Sequence, residues 1–128
     1  MTKLKTHRLG DLQLRIMRIL WKNGQGTVGA VHEDLGGTSK FAYTTIATML
    51  RKMEARGLVT HHEEGRSFIY QPRVAEEAIS RSMADDLLQK IFGGSVTQAV
   101  NHLLSSREVS KEELRELERL IAQRKKKL

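Results

Sequence analysis

The chain has 128 residues, which suits one domain or a small domain with an appended helical element. Its 22 Lys and Arg against 15 Asp and Glu give a formal net charge of +7, which favours nucleic acid first and a membrane surface second, although the same excess also serves solubility. The absence of cysteine excludes a disulfide framework, a thiolate metal site and a cysteine nucleophile.

The charge is unevenly spread. Residues 1–73 hold 12 basic and 6 acidic side chains, whereas residues 74–128 hold 10 and 9, including the terminal run Arg124-Lys125-Lys126-Lys127. The front of the chain is therefore the part expected to meet a polyanion. The opening Met1-Thr2-Lys3-Leu4-Lys5-Thr6-His7-Arg8 lacks the apolar core of a signal peptide. No apolar run nears the roughly 20 residues that span a bilayer. A cytoplasmic protein without membrane insertion is expected.

Residues 9–22 place Leu9, Leu12, Ile16, Ile19 and Leu20 at three-and-four spacing, so they predict an amphipathic helix, stopped by Asn23-Gly24-Gln25-Gly26. Thr27 is suited to cap a short second helix over residues 28–35, closed by Gly36-Gly37. A third helix, from Phe41 or Ala42 to Arg56, turns Ile46, Met49, Leu50 and Met53 inward and stops at Gly57. Residues 58–70 then predict a hairpin turning at Glu64-Gly65, with Val59 opposite Tyr70 and His61 opposite Phe68. A hairpin directly after the third helix is the wing of a winged helix-turn-helix.

Pro72 marks the boundary, with a DNA-binding domain over residues 1–73 and a helical region over residues 74–128. Three helices are expected in that region. The first presents Ala75, Ile79, Met83, Leu87 and Ile91 before Gly93-Gly94. The second presents Val96, Ala99, Val100, Leu103 and Leu104. The third opens on a capping box at Ser110 and presents Leu114, Leu117, Leu120 and Ile121. Such stripes need a partner, and a second copy of the chain is the simplest one. Ile79, Met83, Leu87, Ile91, Val100, Leu103, Leu104, Leu114, Leu117 and Ile121 are the expected dimer interface. The fold class is thus mostly α with a small β-hairpin: an N-terminal winged helix-turn-helix followed by a three-helix dimerisation region.

In a helix-turn-helix the second helix of the motif enters the major groove. Removing the inward face of the third helix leaves Tyr43, Thr44, Thr45, Thr48, Arg51 and Lys52 to face a duplex. Threonine hydroxyls address base edges and their methyls pack on thymine, while Tyr43 reaches a phosphate. Ser39 and Lys40, just before the helix, and Arg66 at the hairpin tip are the expected backbone contacts. The competing roles are a solvated threonine-rich face, a simple turn at Ser39-Lys40, and an ion pair of Arg66 with Glu63 or Glu64.

The five histidines, His7, His32, His61, His62 and His102, include no pair at metal-binding helical spacing, and His61 and His62 point to opposite faces of a strand. No metal or cofactor is expected, and His61 reads as a partly buried hairpin residue. The acidic pairs Glu76-Glu77, Asp85-Asp86 and Glu112-Glu113 read as solvated faces. Gly36-Gly37 and Gly93-Gly94 lack the Lys-Ser/Thr of a phosphate loop, so no catalytic site is expected.

Residues Ala42-Tyr43-Thr44-Thr45-Ile46-Ala47-Thr48-Met49-Leu50, Gly57-Leu58-Val59 and Glu64-Gly65-Arg66-Ser67-Phe68-Ile69-Tyr70 resemble the BlaI/MecI penicillinase-repressor family. So does Leu12-Gln13-Leu14-Arg15-Ile16-Met17-Arg18-Ile19-Leu20-Trp21, and the likeness covers nearly the whole chain. The resemblance implies a homodimer whose winged helices bind a palindromic double-stranded DNA operator. It also implies relief by cleavage in the C-terminal region under a membrane sensor with a metalloprotease domain. The cleaved Asn–Phe bond aligns with Asn101-His102, where this chain has His instead of Phe. The copper-responsive branch uses C-terminal cysteines, which are absent here. Two rivals from other classes are a winged-helix protein-interaction module and a histidine-based metal-responsive regulator.

Overall fold

A computed structural model describes residues 9–128. The readings made on residues 1–8, His7 included, lie outside the described residues. The chain divides into two compact units, Met1–Asp85 and Asp86–Leu128.

In the first unit, helix α1 (Asp11–Asn23) buries Ile16, Met17 and, one turn further on, Leu20 completely. Asp11 in its first turn and Lys22 in its last complement the helix dipole. Gly24 ends it at a φ of 86°, a conformation that costs glycine little. Strand β1 (Gly26–Thr27) follows, and Thr27 then caps α2 (Val28–Asp34), its Oγ1 accepting from the Ala30 amide at 3.0 Å. A single 3₁₀ turn at Gly37–Ser39 leads to α3 (Tyr43–Ala55), which buries Ile46, Leu50 and Met53.

Strands β2 (Val59–Glu64) and β3 (Ser67–Pro72) form the wing, and β1 adds to its other side, giving the antiparallel order β1-β3-β2. The strand β1 went unforeseen, since residues 23–26 read as a helix stop. Gly26 pairs with Tyr70 and Thr27 with Ile69.

The hairpin register differs from expectation by two residues. Val59 lies opposite Pro72 and His61 opposite Tyr70, because the turn is Gly65-Arg66 rather than Glu64-Gly65. Gly65, at a φ of 62°, takes the first central position, as in a type II′ turn. A shift of two leaves every side chain on its expected face, so the expected His61–Phe68 contact survives diagonally, as a ring stack at 4.2 Å.

The core gathers Ile16, Met17, Leu20, Val31, Leu35, Ile46, Leu50, Met53, Leu58, Val59 and Tyr70. Ile79 joins it from helix α4 (Glu76–Phe92), with Met83 packed alongside. Trp21 fastens the approach to α4, its Nε1 donating to the Val74 carbonyl at 2.9 Å. These contacts correct the expectation for Ile79: it is fully buried in its own chain's core and offers no surface to a partner. The division between units accordingly falls inside α4, at Asp85 and Asp86, rather than at Pro72.

Burial, and then the nearby Glu54 carboxylate, raise the Tyr70 phenol above its ordinary value of 10.0, against a smaller opposing effect of Arg51. The stability linked to that proton is fully present below about pH 10 and is lost as pH rises through the raised value. Between about pH 9 and about pH 11 the melting temperature of the wild type is therefore expected to fall further than that of Tyr70→Phe. Equal losses in thermal melts of the two proteins would remove Tyr70 from the alkaline transition.

The second unit completes α4 and adds α5 (Val96–Ser105) and α6 (Lys111–Lys126). Ser95 caps α5 by accepting from the Gln98 amide, and Ser110 caps α6 by accepting from the Glu113 amide, both at 3.0 Å. No residue from 86 to 128 is buried. Leu87, Ile91, Val96, Val100, Leu103, Leu104, Leu114, Leu120 and Ile121 are exposed, and Leu117 is half-buried. Among the described residues no helix is long and apolar enough to cross a membrane.

Candidate nucleic-acid interface

With Ile46, Leu50 and Met53 turned into the core, α3 presents its opposite face to solvent. Tyr43, 52% exposed, stands at the first turn, followed by exposed Thr44, Thr45, Arg51 and Lys52. Thr48 is half-buried, and its Oγ1 accepts from the Arg51 guanidinium at 3.2 Å. That bond orients Arg51 along the face carrying Thr48 and Thr44, about one and two turns away.

Two contacts fix the start of the helix. His32, buried on α2, donates from Nε2 to the Phe41 carbonyl at 2.7 Å, and the Tyr43 ring meets its imidazole edge-on at 5.8 Å. Ser39 donates to the Gly36 carbonyl at 3.0 Å, tightening the turn that leaves Ser39 and Lys40 exposed. Gly36 sits at a φ of 112°, and a Cβ there would fall 2.5 Å from the Lys40 side chain. The approach to α3 is therefore closely specified.

The wing brings Arg66 to the same side. Thr27, Val28, Tyr43, Arg66, Ser67 and Phe68 line one open cleft between the hairpin tip and the start of α3. Among the described residues no ion pair engages Arg66; Glu64 is held instead by His62, whose Nε2 donates to it at 3.0 Å. The free guanidinium, the tyrosine and the threonines thus face outward together, an arrangement matched to phosphates and base edges.

Three participants were missed in the sequence. Arg15 of α1 holds its guanidinium 5.6 Å over the Phe41 ring, putting another exposed cation beside the entry to α3. Phe68 is 41% exposed on the wing. Glu54, half-buried near the end of α3, accepts from His61 Nδ1 at 2.8 and 2.9 Å through its two oxygens. The Arg15–Phe41 and Glu54–His61 contacts each join two different elements, and periodicity along the chain carries no trace of them.

The histidines are engaged one at a time. His61 is half-buried, as expected, and His62 also accepts from Gln71 at 3.2 Å. Among the described residues no three His, Asp or Glu side chains converge as metal ligands would. In the second unit, Asn101 and His102 lie within α5 and are exposed, with the His102 ring 5.7 Å from Phe92. Ser105 donates to the Asn101 carbonyl at 2.8 Å, so cutting this peptide bond requires that helical turn to open first.

The sequence model of the penicillinase repressor family matches residues 9–123. The chain is 29% identical over 121 residues to the penicillinase repressor of Bacillus licheniformis, covering 94% of both chains. It is 34% identical over 102 residues to the transcriptional regulator BlaI of Mycobacterium tuberculosis, covering 78% of this chain and 74% of that one. Among solved structures, the DNA-binding domain of the repressor BlaI superposes with a TM-score of 0.50 at 34% identity, over 56% of this chain and 87% of that one. The matched residues take in both the winged helix and the trailing helices, and the chain belongs to the penicillinase repressor family.

Proposed function

We propose that this chain is a DNA-binding transcriptional repressor, a regulator without catalytic activity, that acts as a homodimer on a palindromic operator. The observation that carries this reading is the outward face of α3, with Tyr43, Thr44, Thr45, Arg51 and Lys52 flanked by the unpaired Arg66 of the wing. The threonines supply the sequence preference, and Ser39, Lys40, Lys52 and Arg66 the contacts to phosphate. The exposed apolar faces of the second unit support a dimer, since helices without a buried residue need another surface to cover them. Two recognition helices so joined occupy major grooves one helical turn apart, or a multiple of it. Relief by cleavage at Asn101-His102 under a membrane metalloprotease sensor belongs to the same reading, with dimer loss as its means.

Selection of bound duplexes from a random pool, followed by a salt titration of the winner, tests it. The expected result is a palindromic consensus and steeply salt-dependent affinity. Arg66→Ala is expected to weaken binding evenly across operator variants and to reduce the log–log salt slope by about 2, one phosphate contact for each protomer. No enrichment, with weak binding that fades near physiological salt, would sink the repressor reading and bring forward the protein-interaction module.

A further inference from the structure

Two elements flank the recognition helix. Helical spacing puts Tyr43 and Glu54 on one side of α3 and Met49 and Arg56 on the other, with the exposed Thr44 and Arg51 between them. The wing takes the first side, where Arg66 and Phe68 share a cleft with Tyr43, and His61 bonds Glu54. Helix α1 takes the second. Gln13 donates to the Met49 Sδ at 3.4 Å and accepts from Arg56 at 2.6 Å, and Arg15 holds its guanidinium over Phe41, just ahead of α3.

From Arg15 onward the solvent side of α1 is basic. Arg15, Arg18 and Lys22 stand three and four residues apart and form one exposed stripe, opposite the buried Ile16, Met17 and Leu20. The stripe is about 10 Å long, enough to meet more than one phosphate of a strand that rises about 3.4 Å per nucleotide. The single acid of the helix, Asp11, lies in the first turn, before the stripe begins. On the trailing helices Arg81, Lys90 and Arg119 each pair with a carboxylate three or four residues away. Among the described residues no ion pair engages Arg15, Arg18 or Lys22. A face that serves solubility alone mixes its charges, whereas this one keeps a single sign beside the surface that reads DNA.

We propose that α1 is a second phosphate clamp: Arg15 and Arg18 hold the DNA backbone on the flank of the recognition helix opposite the wing, and Lys22 extends the line. The proposal rests on the repressor reading and adds a third element to its interface. Phe41 orients Arg15 beforehand, so less side-chain freedom is lost when a phosphate arrives. The wing and α1 then grip the backbone on either side of the groove that α3 enters.

The test uses the full chain and its selected operator, with a salt titration and a map of the phosphates whose ethylation weakens binding. Arg15→Gln and Arg18→Gln are each expected to lower the log–log salt slope by about 2, one phosphate for each protomer. The affinity gap to wild type then closes by about tenfold between about 50 and about 200 mM salt. Each variant is expected to lose sensitivity at a phosphate in each half-site that Arg66→Ala leaves sensitive. Arg18 makes no contact within the fold that its loss would break, so Arg18→Gln carries the test even where Arg15→Gln disturbs Phe41. Arg81→Gln removes the same charge from α4 and is expected to keep both slope and map. Wild-type slopes and maps in Arg15→Gln and Arg18→Gln overturn the proposal while leaving the repressor reading in place, as does an equal loss of slope in Arg81→Gln. A wild type that binds no duplex overturns both.

Discussion

Leu103→Glu combined with Leu104→Glu is expected to convert a dimer to monomers and to lower operator affinity by about 10²- to 10⁴-fold. Both leucines lie on α5 in the second unit, are exposed and are not among the winged-helix core residues, so the first unit is expected to remain folded. Leu103 is 47% and Leu104 38% exposed, so covering each in a dimer removes apolar area worth about 0.6–1.4 kcal/mol from water. The double variant replaces that gain, on both protomers, with carboxylates that must shed their hydration to enter the interface. The loss of affinity comes from separating two half-site contacts that the dimer makes in a single encounter. Binding to a duplex carrying one half-site should therefore match wild type, while binding to the full operator collapses. Sedimentation that still reports dimers would take this face of α5 out of the interface.

The parts of this fold legible in the sequence are those set by local chemistry. Ile16 and Leu20, or Ile46, Leu50 and Met53, fall on one side of a helix by spacing alone, and all are buried. Thr27 and Ser110 act as caps through their own amide neighbours, three residues on. Strand β1 has two residues, too few for any alternation, and exists because β3 presents a free edge to it. The register slipped by two because both Glu64-Gly65 and Gly65-Arg66 place a glycine in a tight turn, and the faces are the same either way. Pro72 marked a change of local structure, but the compact unit runs on until Ile79 and Met83 have been packed.

The candidate site divides along the same line. The exposed residues of α3 followed from subtracting its inward face. The supports of that face did not, since Arg15 on Phe41, His32 on the Phe41 carbonyl and His61 on Glu54 join segments that only the fold brings together. Thr48 was read as equivalent to Thr44, yet its hydroxyl is engaged by Arg51 and it is half-buried.

That difference between the threonines predicts unequal roles on DNA. Thr44→Ala is expected to cost about 1–3 kcal/mol at each half-site, through a lost base-edge contact. Because a homodimer carries the substitution twice, the operator affinity falls by roughly 30-fold to 10⁴-fold if the half-sites add. The loss should be concentrated at one symmetry-related base position, with the variant accepting other bases there more readily. Thr48→Ala is expected to act through Arg51, freeing a guanidinium that the hydroxyl now orients, so its effect spreads over the neighbouring contacts. Lys52→Ala gives the contrasting pattern, an even loss across all sequences together with a salt slope shallower by about 2. Affinities measured across single-base operator variants separate the three outcomes. A Thr44→Ala profile parallel to wild type at every position would mean that this threonine touches no base, leaving sequence preference to Thr45 and Arg51 on the same exposed surface of α3.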